Sequence, residues 1–236
     1  MRIGTALVAT VLGFATLTAQ SQFLGTTPHD PFHDTTILRP PAGDKVAIIV
    51  FEDLGCPGCA AAHPYELQAA AKYHVPLVRY DYPLAAHVWT FDGAVDARYI
   101  EDTLKNPKLA GQFRSDVFLA QASISSKDDL QMYTSHWLQQ HGLKMPAVVD
   151  PDGKLAAKVQ ADRDLGVRLN VIQTPTLVVV TRTNYQVVAG IPPATGFAND
   201  PKQLDPIVEA AIAQTRAASA PAHKTASAAA HKPATN

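Results

Sequence analysis

The sequence predicts an α/β fold with a helical insertion, on three observations. Val46-Ala47-Ile48-Ile49-Val50-Phe51 is a continuous β-branched and aromatic run, the pattern of a strand buried on both faces of a sheet. Thr176-Leu177-Val178-Val179-Val180 is a second such run, far along the chain. Between them, from Ala86 to Leu143, apolar residues recur only at helical spacing.

In chain order, the first strand gives way at Cys56 to a helix through Ala60-Ala61-Ala62 and from Glu66 to Lys72, with a kink expected at Pro64. Val75 to Tyr80 is the second strand. In the long block, Ala94, Ala97, Ile100 and Leu104 share one helical face, followed by Phe113, Val117 and Ala120, then by Leu130, Trp137 and Leu138. Trp89 and Trp137 read as core residues there. Asp150-Pro151-Asp152-Gly153 is turn chemistry, and Leu155 to Leu165 is a helix. The strand Thr176–Val180 leads through a turn at Thr183-Asn184 into a short strand, Gln186 to Ala189. Last comes a helix from Gln203 to Thr215, with Leu204, Ile207, Val208, Ala211 and Ile212 on its apolar face. No internal repeat is visible.

Of 236 residues, 47% are hydrophobic and 17% charged, which suits one folded domain and argues against a disordered chain or a multispanning membrane protein. Lys and Arg number 20 against 21 Asp and Glu, a net charge of -1, so no broad positive field exists to hold a phosphate backbone. Nucleic acid is excluded as a partner on that ground. The 2 cysteines are too few for a scaffold stapled by disulfides.

Met1-Arg2 followed by an uncharged apolar run from Ile3 to Leu17, then Thr18-Ala19-Gln20-Ser21, has the layout of a secretory signal cut after Ala19. An uncleaved membrane anchor is the alternative. The run is shorter than the roughly 20 residues that a spanning helix needs. Residues 1–19 are therefore expected to be a signal peptide, 20–45 a proline-bearing extended lead-in, 46–215 the folded domain with its insertion at about 86–143, and 216–236 a disordered tail rich in Ala, Lys, His and Pro. The expected location is periplasmic or extracellular, where disulfides persist.

Cys56-Pro57-Gly58-Cys59 lies where a buried strand ends and a helix begins. Unpaired N–H groups of a first helical turn and the positive end of its dipole favour a thiolate over a thiol. Pro57 suits that turn, because its missing N–H would be unpaired anyway. Cys56 is then the exposed nucleophile, and Cys59, one turn deeper, the resolving thiol that attacks a mixed disulfide on the first. Two other readings compete: a static disulfide or an inert buried pair, and half of a metal site in which Cys56, Cys59 and His63 spell C-x2-C-x3-H with His74 or His87 completing it. Ala60 stands where a c-type haem motif needs His. His29 and His33 are four apart, but Pro31 breaks the helix that would align them, and His223 and His231 fall in the tail.

Phe51-Glu52-Asp53-Leu54-Gly55-Cys56-Pro57-Gly58-Cys59, Tyr82-Pro83-Leu84 and Thr174-Pro175-Thr176 together resemble the DsbA-type thioredoxin-like thiol-disulfide oxidoreductases, in their exported bacterial branch. The resemblance spans Val46 to about Thr215. It implies a thioredoxin-like fold with an inserted helical subdomain, catalytic Cys56 and Cys59, a cis Thr174-Pro175 bond beside them, and a Thr174 backbone that pairs with an extended substrate segment. Departures from the family pattern also carry information. Gly55 stands where cytosolic thioredoxins carry Trp, Pro57-Gly58 replaces the Pro-His of the strongest oxidants, and Val50 occupies the place of a buried acid found in several relatives. Asp53 and, second to it, Glu52 are the candidate proton relays for Cys59.

The expected function is disulfide exchange with cysteine-containing exported proteins by a monomer that needs no cofactor and no metal, and that a separate redox partner recycles. A reductase or isomerase on the same fold, and a non-enzymatic binding or metallochaperone module, are the alternatives.

Overall fold

Strand β1, Val46–Glu52, is buried at every residue because it is paired on both edges and covered on both faces. It runs parallel to β2 (Leu77–Asp81) and antiparallel to β3 (Thr176–Thr181), which pairs antiparallel with β4 (Tyr185–Val187). The computed structural model describes residues 38–188 and 201–219, and within these the sheet order is β2-β1-β3-β4. The predicted signal, the lead-in up to residue 37, Ala189 and the chain beyond Ser219 lie outside the described residues.

Alternation along β1 divides the core. Val46, Ile48 and Val50 face helix α1 (Pro57–Tyr73) and helix α6 (Pro201–Ser219), packing with Ala69, Leu204 and Val208. Ala47, Ile49 and Phe51 face the opposite way, toward Tyr82 and Leu165 of helix α5 (Lys154–Arg168). Gly166 is required at that contact, since a Cβ there would fall on the Tyr82 ring.

The long block holds no strand among the described residues. It folds as α2 (Thr90–Arg98), a π-helical turn (Tyr99–Thr103), α3 (Pro107–Ala120), a 3-10 turn (Gln121–Ser123) and α4 (Lys127–Gln140). Asn106 and Ser126 start α3 and α4 by accepting from the backbone N–H groups of Leu109 and Asp129 at 3.1 Å each, which satisfies donors that a helix start leaves unpaired. Ile100, Phe113, Val117, Leu130, Trp137 and Leu138 form the core of the block, and Trp89 belongs to it as expected. Both cysteines and Leu54 belong to the same cluster, so the insertion packs against the thiol pair.

The structure departs from the sequence reading in its details. β2 begins at Leu77 rather than Val75 and continues to Asp81. Helix α1 passes unbroken through Pro64, which lies on its exposed side where water can take up the freed carbonyl. Helix α6 extends past Thr215 to Ser219, into the segment expected to be tail, because Arg216-Ala217-Ala218 are strong helix formers.

Candidate active site

Cys56 caps α1 with extended backbone geometry (φ -82°, ψ 119°), and Pro57 occupies the first turn. Both cysteines are free thiols. Cys56 is only 8% exposed, so the expected open nucleophile is nearly closed over. The cover is the loop at Thr174–Pro175, whose peptide bond is cis. Cys56 Sγ donates to the Thr174 carbonyl at 3.2 Å. Gly58 permits this approach, since a Cβ there would lie 3.3 Å from Pro175 Cδ and 3.5 Å from Cys56 Sγ.

The two thiols sit in opposite fields. A hydrogen bond from the Cys59 thiol is the largest influence on Cys56 and brings its pKa from an ordinary 9.0 down to about 6, against the opposing effect of burial. Thr174 lowers it further, as do the backbones of Cys59 and Gly58; the Thr174 hydroxyl is buried and has no hydrogen-bond partner of standard geometry. Burial is the largest influence on Cys59 and pushes its thiol well up, with the neighbouring Cys56 and the charge of Glu52 acting in the same sense. One backbone N–H, that of Asp53, donates to Cys59 Sγ at 3.4 Å and opposes the rise.

Asp53 is fully buried, and its carboxylate is committed to three donors: the N–H groups of Gly55 at 2.8 Å and Leu84 at 2.7 Å, and His87 Nδ1 at 2.7 Å. It pins the loop before the cysteines to the segment that enters the insertion. A Cβ on Gly55 would sit 2.6 Å from Thr90 Cγ2 and 3.2 Å from His87. The space that a Trp side chain would need before the first cysteine is thus taken by the insertion.

Glu52, at the end of β1, belongs to a buried ionic network. Arg114 Nη1 from α3 donates to Glu52 Oε1 at 3.0 Å and to Asp81 Oδ1 at 2.6 Å, while Arg98 from α2 donates to Asp81 and Asp162 at 2.6 Å each. Arg79 Nε approaches Glu52 Oε1 at 3.5 Å. Burial would raise the Asp81 carboxyl, but the two guanidiniums overcome it and hold Asp81 below its ordinary value. His63 and Glu66 of α1 complete this floor. Burial lowers His63 to about 4 and raises Glu66 to about 8.

Sequence reading brought Cys56, Cys59, Thr174 and Pro175 forward, and the fold gathers these four. It did not find Glu66, Arg79 or Arg114, and it read His63 and His87 only as companions of the cysteines. One signal was available: Cys59, Ala62, His63, Glu66 and Ala69 form one buried stripe of α1 at helical spacing, with two ionisable residues in it besides the cysteine. His74 lies exposed at the left-handed cap of α1 (φ 52°). Among the described residues, the one group of His, Cys and acidic side chains whose donor atoms converge is Glu52, His63 and Glu66, and neither cysteine is in it.

No protein-family model and no curated protein matches the chain. Solved structures do match its fold. The thiol-disulfide exchange protein alpha-DsbA2 from Wolbachia pipientis superposes with a TM-score of 0.56 at 16% identity, over 73% of this chain and 84% of that one. ScsC from Proteus mirabilis gives 0.56 at 15%, over 74% and 71%. A periplasmic thioredoxin-like protein from Salmonella enterica serovar Typhimurium gives 0.55 at 16%, over 73% and 87%. The chain therefore has the DsbA-like fold of these structures, a thioredoxin-like sheet with an inserted helical subdomain.

Proposed function

We propose that this chain is an exported thiol-disulfide oxidoreductase that exchanges disulfides with cysteine-containing exported proteins through Cys56 and Cys59. The observation that carries the reading is the pair of free thiols at the start of α1, with Cys56 Sγ 3.2 Å from the carbonyl of the cis Thr174–Pro175 loop; its surroundings favour the Cys56 thiolate, down to about 6, and hold the proton on buried Cys59. A nucleophile must be ionised at working pH, and a resolving thiol must wait until a mixed disulfide has formed.

In the substrate-reducing direction, the Cys56 thiolate attacks one sulfur of a substrate disulfide. An S–S bond forms to Cys56, and the other substrate sulfur leaves as a thiolate that takes a proton from water. The Cys56 charge is then gone, and with it one of the influences that hold the Cys59 proton in place. Cys59 gives up that proton and attacks Cys56 Sγ, so the substrate leaves with two thiols and two electrons while the Cys56–Cys59 disulfide closes. The oxidising direction reverses every step.

Glu52 is the proposed proton acceptor for Cys59, ahead of Asp53. Cys59 feels the charge of Glu52, whose Oε2 is buried and unpartnered, whereas the Asp53 carboxylate already serves three donors. The substrate segment docks at Thr174–Pro175, where the Thr174 carbonyl exchanges its Cys56 partner for a substrate N–H. Export is supported by the leader layout at residues 1–19 and by the likeness of the fold to a periplasmic thioredoxin-like protein. Among the described residues, no helix is long and apolar enough to cross a membrane. A metallochaperone built on the cysteines and His63 finds less support, since His63 turns to Ser115 and the Glu52–Glu66 group instead.

The test is Cys59→Ser, which leaves an attacking Cys56 with no partner to resolve it. Mixed disulfides with exported proteins should accumulate as adducts on non-reducing gels and vanish with reductant. Absence of adducts, with the fold intact, would refute the reading.

A further inference from the structure

We propose that Glu52, His63 and Glu66 form a divalent-cation site that takes zinc and ties α1 to β1. The three side chains are 2%, 4% and 2% exposed, and each offers one donor atom, all within 4.8 Å of one another. His63 and Glu66, three apart on α1, share one helical face, and Glu52 reaches them from the end of β1.

The hydrogen bonds around these side chains leave two acceptor atoms available. The hydroxyl hydrogen of Ser115 goes to the Gly111 carbonyl at 3.0 Å, so Ser115 Oγ accepts at 2.7 Å from His63 Nε2–H. That leaves Nδ1 of the neutral ring as a bare lone pair, and it is buried with no partner. Glu52 is alike: Oε1 accepts from Arg114 at 3.0 Å, and Oε2 is buried with no partner. Buried polar atoms without partners are uncommon in folded proteins, and here two acceptors converge with a third carboxyl. Each orphaned acceptor has its opposite atom held by a neighbouring element, the arrangement that orients metal ligands.

The donor set selects the ion. One imidazole and two carboxylates suit zinc or manganese, and the absence of thiolate disfavours copper(I). Tetrahedral zinc with ligands at about 2.0 to 2.1 Å needs donors about 3.3 Å apart, so side-chain rotation has to close the remaining gap. Arg79 works against the cation. Arg114 opposes it as well, since it pairs with Glu52 and its charge reaches His63, but Asp81 shares that guanidinium; among the described residues Arg79 has an ion pair with Glu52 alone, and its Nε and Nη2 have no hydrogen-bond partner. Removing the Arg79 guanidinium should therefore tighten zinc by about tenfold or more.

Zinc would occupy the Glu52 Oε2 that otherwise takes the Cys59 proton, so thiol exchange belongs to the metal-free chain; the site itself does not depend on that exchange, and its test removes the thiols. Full-length Cys56→Ser/Cys59→Ser protein, stripped of metal, is titrated with zinc and separately with cobalt(II). One equivalent of zinc should bind and raise the unfolding temperature, and cobalt should show a visible spectrum of a nitrogen and oxygen ligand set. Adding Glu66→Gln or His63→Ala should abolish both signals, and adding Arg79→Gln should strengthen zinc binding. No stoichiometric binding to the double variant overturns the site without reference to any further substitution. Binding that persists in Glu66→Gln and His63→Ala, or that is unchanged by Arg79→Gln, places the ion on other histidines and also overturns it.

Discussion

The mouth of helix α1 and the floor beneath it hold the same chemical group in opposite conditions. Cys56 sits at the cap, where a neighbouring thiol and backbone stabilise its charge more than burial penalises it. Cys59, one turn in, meets burial with a single N–H donor and an acidic neighbour. Distance from the helix start does not explain the difference by itself, because a dipole fades over one turn and both residues lie within about that length. The donor count decides it: Cys56 gains several partners favouring the thiolate, and Cys59 gains one.

The strongest way to break that contrast is to remove the donor that matters most. Cys59→Ala deletes the thiol that stabilises the Cys56 thiolate, and the Cys56 pKa should climb from about 6 toward its ordinary 9.0. At pH 7 the ionised fraction then falls from about nine-tenths to as little as about one-hundredth, so alkylation by iodoacetamide should slow by tens of fold. An unchanged alkylation rate would show that the donor is elsewhere.

Gly55→Ala tests how far the mouth depends on the insertion. The new methyl group would fall 2.6 Å from Thr90 Cγ2, and relief requires the loop before Cys56 or the start of α2 to move. Overpacking of this kind costs about 1 to 3 kcal/mol, measurable by urea unfolding, and the Cys56 pKa should shift with the loop.

A third variant isolates the effect that dominates the floor. Asp96 is buried in α2 and has no ion pair among the described residues; Thr134 donates to it at 2.7 Å, and burial still raises its pKa to about 7. Between 3.8 and about 7 the folded state holds a proton that the unfolded state has lost, so stability falls as pH rises through that window and levels above it. Asp96→Asn should remove this slope. The unpaired amide hydrogens of Asn offset much of the gain, leaving the variant more stable by about 1 kcal/mol at pH 8 and no more stable at pH 4. Thermal unfolding at the two pH values checks it.

The sheet was legible in the sequence because β1 and β3 are buried on both faces and so read as unbroken apolar runs. β2 was less so: its residues from Leu77 to Tyr80 are half-buried, and the run begins at Val75 with no marker for the true start. The thiol pair was visible because its chemistry lies in four adjacent residues. Its floor was not, since Glu52, Arg79, Asp81 and Arg114 come from β1, β2 and α3 and meet only through the parallel pairing of β1 with β2 and the packing of α3 against α1. Two of the three donors that occupy Asp53 were hidden for the same reason, with Leu84 and His87 lying 31 and 34 residues away along the chain.

The central claim is the split in acidity between the two thiols, and a direct titration of the reduced protein tests it. Thiolate absorbance near 240 nm, followed from acid to alkaline pH and corrected with Cys56→Ser, should show one sulfur ionising near pH 6 and the second silent until well above 9.0. Because the folded value of Cys56 is depressed, its contribution to the stability of the reduced protein should be complete above the ordinary thiol value of 9.0 and disappear as pH falls through about 6. Two thiols ionising together near 9.0, or Cys59 ionising before Cys56, would contradict the account.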